Sequence, residues 1–176
     1  MKNEILQRNE RYNQLINRLF EEAAGFGDEV LNRRPAAGGW SALQTMHHLI
    51  LSEEMSLAYL KKKLGFNPEL QPAGVGERWR GFLLWVSLSA PFKFKAPKQV
   101  GDDNLPARST LAEVQARWLK IRGEWTEFLA QMPDDMARMA IYKHPRVGRL
   151  GWPQTLNFFE THFSRHLKQM RNAWQA

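Results

Sequence analysis

Apolar residues recur with helical spacing in four long segments, and no segment alternates apolar and polar positions as a strand would. The first predicted helix runs from about Asn3 to Ala24 and ends at a pair of glycines, Gly25 and Gly27. Its apolar stripe has the spacing of one helix face: Ile5, Tyr12, Leu15, Ile16, Leu19 and Phe20.

Capping residues at the start of each of the other three segments predict where those helices begin. Ser41 followed by Gln44 is a capping box that predicts a second helix continuing to about Leu64, before Gly65. Thr110 followed by Glu113 predicts a third helix, to about Gln131. The last helix is expected from Pro153, a residue that suits the first helical position, to about Trp174.

A long irregular stretch, Phe66 to Arg108, separates the second and third long helices and contains a predicted short helix over roughly Glu77 to Ser87. A connection of this length inside a compact domain is usually functional or covers a core. A second loop, His144 to Gly151, precedes the last helix. The pattern predicts one all-α domain, residues 1–176, built as a four-helix bundle with a long excursion between helices 2 and 3.

Composition removes several classes of protein. The chain has no Cys, which excludes disulfides, thiolate metal sites and a cysteine nucleophile. Its first residues lack the apolar stretch of a signal peptide, and the most apolar segment, Phe82 to Phe92, is far shorter than the ~20 residues that span a bilayer. We therefore expect a cytoplasmic protein with no membrane partner.

The formal net charge is +7, and much of it lies between Tyr59 and Val100, where eight basic residues face two acidic ones. Such a field would attract phosphate, anionic substrates or an acidic partner, or would simply be a solvated basic face. Nucleic-acid binding is the competing function that the charge raises. No helix-turn-helix, zinc-finger or aromatic RNA-binding motif supports it.

Histidines form the most informative pattern in the chain. His162 and His166 are four residues apart within the last helix, so both imidazoles leave one face, at the border of its apolar stripe. Two imidazoles at this spacing can hold a metal ion, but weakly. The best candidate for a third ligand is His48, two turns into the second helix among apolar neighbours. Each of these histidines could instead be a hydrogen-bonded core residue. Phe163 stands where a zincin has its glutamate, which argues against a metalloprotease of that class.

Three separated motifs carry a family resemblance. Trp40-Ser41 with His48-Leu49 resembles the W-S-x6-H-L signature of the DinB/YfiT-like superfamily. The last helix, His162-x3-His166-x2-Gln169, resembles that family's closing element, and the loop that begins with His144-Pro145 resembles the one before it. The similarity runs from Pro35 to Met170, with matching order and spacing.

The resemblance implies a DinB-type four-helix bundle in which His48, His162 and His166 bind a divalent ion such as zinc or nickel. Relatives of this kind include thiol-dependent S-transferases, a maleylpyruvate isomerase and metal-dependent hydrolases. The implied function is a metal-dependent hydrolase or thiol transferase, acting on an unidentified small molecule with or without a low-molecular-weight thiol. The alternative is a non-catalytic metal-binding or stress-related binding module. Dimers among relatives, together with the many Trp and Phe side chains, favour a homodimer.

Other polar residues have less certain roles. His47 points about 100° away from His48 on a helix, so we predict a surface or supporting role rather than ligation. His144 is either a structural loop residue or a group that stacks over the site, and Gln169 either orients His166 or packs between helices. Glu53 and Glu54 are interpreted as a solvated or interhelical pair, unless an irregularity of the helix turns one of them inward. The seven Trp residues are interpreted as core and interface anchors rather than metal or substrate ligands.

Overall fold

The computed structural model describes residues 1–36, 38–66, 68–90 and 97–175. Helices, including the short 3-10 turns, account for 72% of the described residues, which confirms the all-α prediction. The helices in the described residues are α1 (Lys2–Ala23), α2 (Asp28–Leu31), α3 (Ala42–Gly65), α4 (Val75–Ser89), α5 (Leu111–Gln131) and α6 (Trp152–Gln175). Three short 3-10 turns lie between them, at Lys98–Val100, Asp102–Asn104 and Asp135–Arg138.

The four long helices α1, α3, α5 and α6 form the bundle. α3 packs against α5 and α6, and α1 packs against the same two helices, so α1 and α3 lie diagonally across the core. The core is filled by large side chains from the helices, among them Trp118, Trp125, Trp152 and Phe163, each almost completely buried. None of the described helices has an apolar stretch that would reach across a membrane.

Both predicted capping boxes are present. At the start of α3 the Ser41 hydroxyl accepts from the Gln44 backbone N–H, and the Gln44 side-chain oxygen accepts from the Ser41 N–H, both at 3.2 Å. Thr110 and Glu113 make the same reciprocal pair at the start of α5, at 3.2 and 2.8 Å. These bonds satisfy backbone donors that have no partner within the helix, which explains why both helices begin where the sequence predicts.

The loop predicted over His144–Gly151 is partly wrong, because the structure contains a small hairpin there. Strand β1 (Tyr142–His144) pairs antiparallel with β2 (Gly148–Leu150), and Gly148 turns the chain with a positive φ of 82°. Three residues per strand are too few to show an alternating pattern against the background of the sequence. The hairpin and α4 belong to one side of the molecule, where α4 packs on β2 and α6.

Glu53 lies inside the bundle, so the solvated interpretation is wrong for this residue. Its side chain is 1% exposed, and its carboxylate pairs with Arg122 of α5 at 2.8 Å. The same carboxylate accepts from the Tyr12 hydroxyl of α1 at 2.9 Å and from Trp118 Nε1–H at 3.0 Å. Glu54, the next residue, makes the predicted interhelical pair in a half-exposed setting. It contacts Arg117 of α5 at 2.8 and 2.6 Å.

Candidate metal centre

Three imidazoles converge between α3 and α6, as the histidine spacing predicts. Their candidate ligand atoms all lie within 4.8 Å of one another. Nε2 of His162 is 3.2 Å from Nε2 of His48 and 3.1 Å from Nε2 of His166. The one-turn spacing on α6 places two of these nitrogens side by side, and the α3–α6 packing supplies the third.

Two of the three rings are oriented by hydrogen bonds on the side away from the cluster. Nδ1 of His48 lies 2.7 Å from the carbonyl oxygen of Val100, and Nδ1 of His166 lies 3.0 Å from the side-chain oxygen of Gln169. Both oxygens can only accept, so each Nδ1 carries the hydrogen. In the neutral rings Nε2 is then unprotonated, and its lone pair is directed at the centre of the cluster. This is the arrangement by which outer hydrogen bonds orient metal-binding histidines.

Burial keeps these imidazoles uncharged at neutral pH. It lowers the pKa of His162 well below the usual 6.5, with further lowering from positive charge on His166 or His48. Burial, followed by the effect of His48, lowers the pKa of His166 to about 3. The pKa of His48 is also lowered by burial, although its bond to Val100 acts in the opposite direction. A neutral imidazole is the form that binds a metal ion.

The donor set fits a divalent cation better than it fits hydrogen bonding alone. At least two of the inward nitrogens, those of His48 and His166, are unprotonated. At most one hydrogen, on Nε2 of His162, is therefore available for its contacts with both of them. Two nitrogens bound to one tetrahedral ion at ~2.0–2.1 Å would be about 3.3 Å apart, close to the two separations observed here. The three histidines differ in solvent exposure. His48 and His166 are buried. His162 is partly exposed as a residue, although its imidazole ring is enclosed.

Aromatic rings cover the cluster, and sequence reasoning placed none of them there. Trp40 lies against two of the three imidazoles, with its ring centroid 4.8 Å from that of His48 and 6.4 Å from that of His166. Trp40 Nε1–H donates to Asp102 at 2.5 Å, which ties this cover to the end of the excursion. Phe158 stacks on His162, with centroids 5.3 Å apart. Trp40 belongs to the Trp-Ser motif that carries the family resemblance, and this motif is the sequence feature that could have predicted its place at the site.

Gln169 takes the orienting role that the sequence allowed, since it accepts from His166. His144 is buried, and its Nδ1 accepts from the Arg146 backbone N–H at 3.3 Å. Its ring contacts Phe158, with centroids 4.7 Å apart, so it supports the ring that stacks on His162. Burial, and then the charge of Arg146, lowers the pKa of His144 to about 4.

His47 points away from the cluster, as the helical geometry predicts. Its Nδ1 accepts from Arg117 at 3.3 Å, so Nε2 carries the hydrogen and donates to the Ser109 hydroxyl at 3.0 Å. The residue is buried rather than on the surface. His47 therefore supports the contact between α3 and the start of α5.

The fold and this cluster define a four-helix-bundle protein with three histidines directed at one point. The chain belongs to the DinB superfamily, whose sequence model matches residues 11–170. It is also similar to a protein from Oceanobacillus iheyensis that bears the name "Putative metal-dependent hydrolase". The two are 26% identical over 144 residues, which cover 80% of this chain and 68% of the relative. No solved structure matches the chain.

Proposed function

We propose that the chain is a metal-dependent enzyme that acts on a small molecule and holds one divalent ion on His48, His162 and His166. The observation that carries the proposal is the pair of Nδ1 hydrogen bonds, to Val100 and Gln169, that directs two lone pairs at His162. Zinc and nickel both suit a set of neutral imidazoles. The name of the Oceanobacillus relative supports the same class of function.

Three protein ligands leave a fourth position, which is the layout of catalytic rather than structural zinc sites. When bound there, the ion supplies Lewis acidity that lowers the pKa of a water or thiol, or polarises a carbonyl. The chain contributes orientation of the ligands through Val100 and Gln169, and it excludes water from one side of the cluster through Trp40. Hydrolysis and thiol transfer are both compatible with this arrangement.

A small thiol cosubstrate would explain why, among the described residues, no acid or base side chain joins the histidine cluster. Their only cluster of His, Asp or Glu side chains suited to a metal ion consists of the three histidines, so no carboxylate joins it as a base. A thiol would bring its own nucleophile, and the chain has no Cys that could serve instead. Asp102 is linked to the site only through Trp40, whose indole N–H it accepts.

The test is an activity screen of the metal-loaded protein on ester, amide and electrophilic substrates, with and without small thiols. Activity should require the ion and should disappear in His48→Ala, while His47→Ala, the neighbouring histidine, should retain it. Turnover that survives both chelation and His48→Ala would refute the proposal. If the screen is silent while one ion per chain is bound, the non-catalytic metal-binding module becomes the better account.

Gln169→Leu should weaken metal binding by about 10–100-fold, the usual effect of losing an outer hydrogen bond to a ligand histidine. The substitution removes the oxygen that fixes the His166 Nδ1–H and leaves the three ligands in place. Gln169→Glu should retain most of the affinity, since a carboxylate accepts the same hydrogen. Competition titrations against a metal indicator would measure both variants. Equal affinity in Gln169→Leu and the parent chain would show that this bond does not orient the ligand.

A further inference from the structure

The side of α4 that faces away from the bundle carries an unusual amount of apolar surface. Six large side chains along it are 42–80% exposed, and we call them the α4 outer face: Val75, Trp79, Phe82, Leu83, Trp85 and Val86. Its rings form a continuous series, with centroids of Trp79 and Phe82 5.6 Å apart and those of Phe82 and Trp85 6.0 Å apart. The opposite side of α4 holds the buried Gly81 and Leu84 and packs on α6. A helix that is apolar on both sides is normally buried on both.

The size of the α4 outer face is that of an interface core. Aromatic side chains bury 150–250 Å² each when covered, so three that are about half exposed leave roughly 300 Å², and all six roughly 500 Å². A patch of this size is in the upper part of the range of the largest apolar patches on monomeric proteins, and such patches are often functional. With a polar rim it approaches the ~800 Å² per partner of a stable protein–protein interface.

We infer that the α4 outer face is the interface of a two-fold homodimer in which two copies of α4 pack antiparallel. Trp79, Phe82, Leu83 and Val86 follow the spacing of a helix-packing stripe. A two-fold axis between Phe82 and Leu83 would set Trp79 against the partner's Val86 and Phe82 against the partner's Leu83. Each large ring then meets a smaller side chain, which is the self-complementarity that an interface of this symmetry needs.

The charges on α4 favour a second copy over an acidic partner or an anionic lipid surface. The outer face has no charged residue from Gly81 to Ser89, so it offers no cation there to recognise either of them. Arg80 is paired with Glu77 at 2.8 Å, and the exposed Arg78 lies near the start of the helix. At 1.5 Å per residue, antiparallel packing places the two Arg78 side chains about 14 Å apart along the helices. Each would then lie near the negative end of the partner's helix dipole.

The first test is the mass of the full chain in solution, by sedimentation equilibrium or light scattering over a wide concentration range. We expect a species of twice the 20.5 kDa chain mass. Phe82→Asp should reduce it to a single chain while the helical circular dichroism is unchanged, because that side chain is 49% exposed. Leu119→Asp is the matched control, since Leu119 is a 45% exposed apolar residue on α5, outside the α4 outer face. Single chains at every concentration would overturn the inference.

A second test addresses the antiparallel geometry. The chain has no Cys, so one introduced thiol reports one position. Leu83→Cys lies beside the proposed axis and should be joined to its counterpart by a short bismaleimide linker. Val75→Cys would be separated from its counterpart by about 22 Å along the helices and should not be joined. A dimer that forms in Phe82→Asp, or that leaves Leu83→Cys unlinked, would place the interface elsewhere and refute the inference.

Salt separates the dimer from a membrane-bound state. Screening of the +7 charge should leave self-association unchanged or stronger at high salt, because the interface is apolar. Binding to phosphatidylserine vesicles would weaken with salt. If the chain is single in solution, binds such vesicles, and loses that binding in Phe82→Asp, the α4 outer face is a lipid-binding surface and the dimer is wrong.

Discussion

Replacing Glu53 by leucine should lower the free energy of unfolding by about 3–5 kcal/mol, the usual cost of removing one partner from a buried ion pair. The Glu53 and Arg122 side chains are 1% and 5% exposed and 2.8 Å apart. Without the carboxylate, the guanidinium of Arg122 remains in the bundle with no counter-charge, and Trp118 and Tyr12 each lose an acceptor. Urea unfolding followed by circular dichroism would measure the loss.

The chain contains a matched control at the next residue. Glu54 also pairs with an arginine of α5, Arg117, but these two side chains are 33% and 38% exposed. Glu54→Leu should therefore cost no more than about 1 kcal/mol, because water screens and solvates both groups. Equal losses in Glu53→Leu and Glu54→Leu would show that burial does not distinguish the two pairs.

A double replacement separates the pair from its surroundings. Glu53→Leu combined with Arg122→Met removes both charges, and the loss should be smaller than the sum of the two single losses. Part of the loss should persist, since Trp118 and Tyr12 would still lack their acceptor. Additive losses would mean that the two charges do not stabilise one another.

The boundaries of the long helices could be predicted because local groups determine them. Ser41 with Gln44, and Thr110 with Glu113, satisfy their own helix ends without help from the rest of the fold. The environment of Glu53 could not be predicted in the same way. Every residue from Ala42 to Ile50 is buried, so this part of α3 has no polar face from which to assign the direction of later side chains.

In the candidate site, too, the features that depend on local sequence could be predicted, and those that depend on distant parts of the fold could not. The positions of His162 and His166 follow from helix geometry. His48 was the best third candidate because of its apolar neighbours, and the family resemblance supported it. The carbonyl of Val100 is a backbone group 52 residues from His48, so no side-chain pattern announces it. Trp79 and Trp85 were interpreted as core or interface anchors, and both prove exposed, whereas Trp118, Trp125, Trp152 and Trp174 are core residues. A periodic pattern identifies an apolar helix face, but it does not show whether the chain itself covers that face.

Removing His48 should abolish metal binding, whereas removing the adjacent His47 should not. The parent chain is expected to take up about one zinc or nickel ion, and His48→Ala about none, because two remaining imidazoles hold an ion only weakly. His162→Ala should behave like His48→Ala, since Nε2 of His162 is the atom close to both other ligands. Elemental mass spectrometry after desalting would give the stoichiometry of each variant.

The His47→Ala control separates loss of a ligand from damage to α3. Both histidines are buried in the same turn, so alanine at either position removes one enclosed ring and its hydrogen bonds. Only at position 48 does the ring present a nitrogen to the cluster. Excess metal at 100 times its dissociation constant should stabilise the parent chain and His47→Ala by about 2.7 kcal/mol. It should leave the unfolding of His48→Ala unchanged, because an ion that does not bind the folded chain cannot shift its equilibrium. A metal-induced shift of equal size in both variants would mean that the ion sits somewhere other than between α3 and α6.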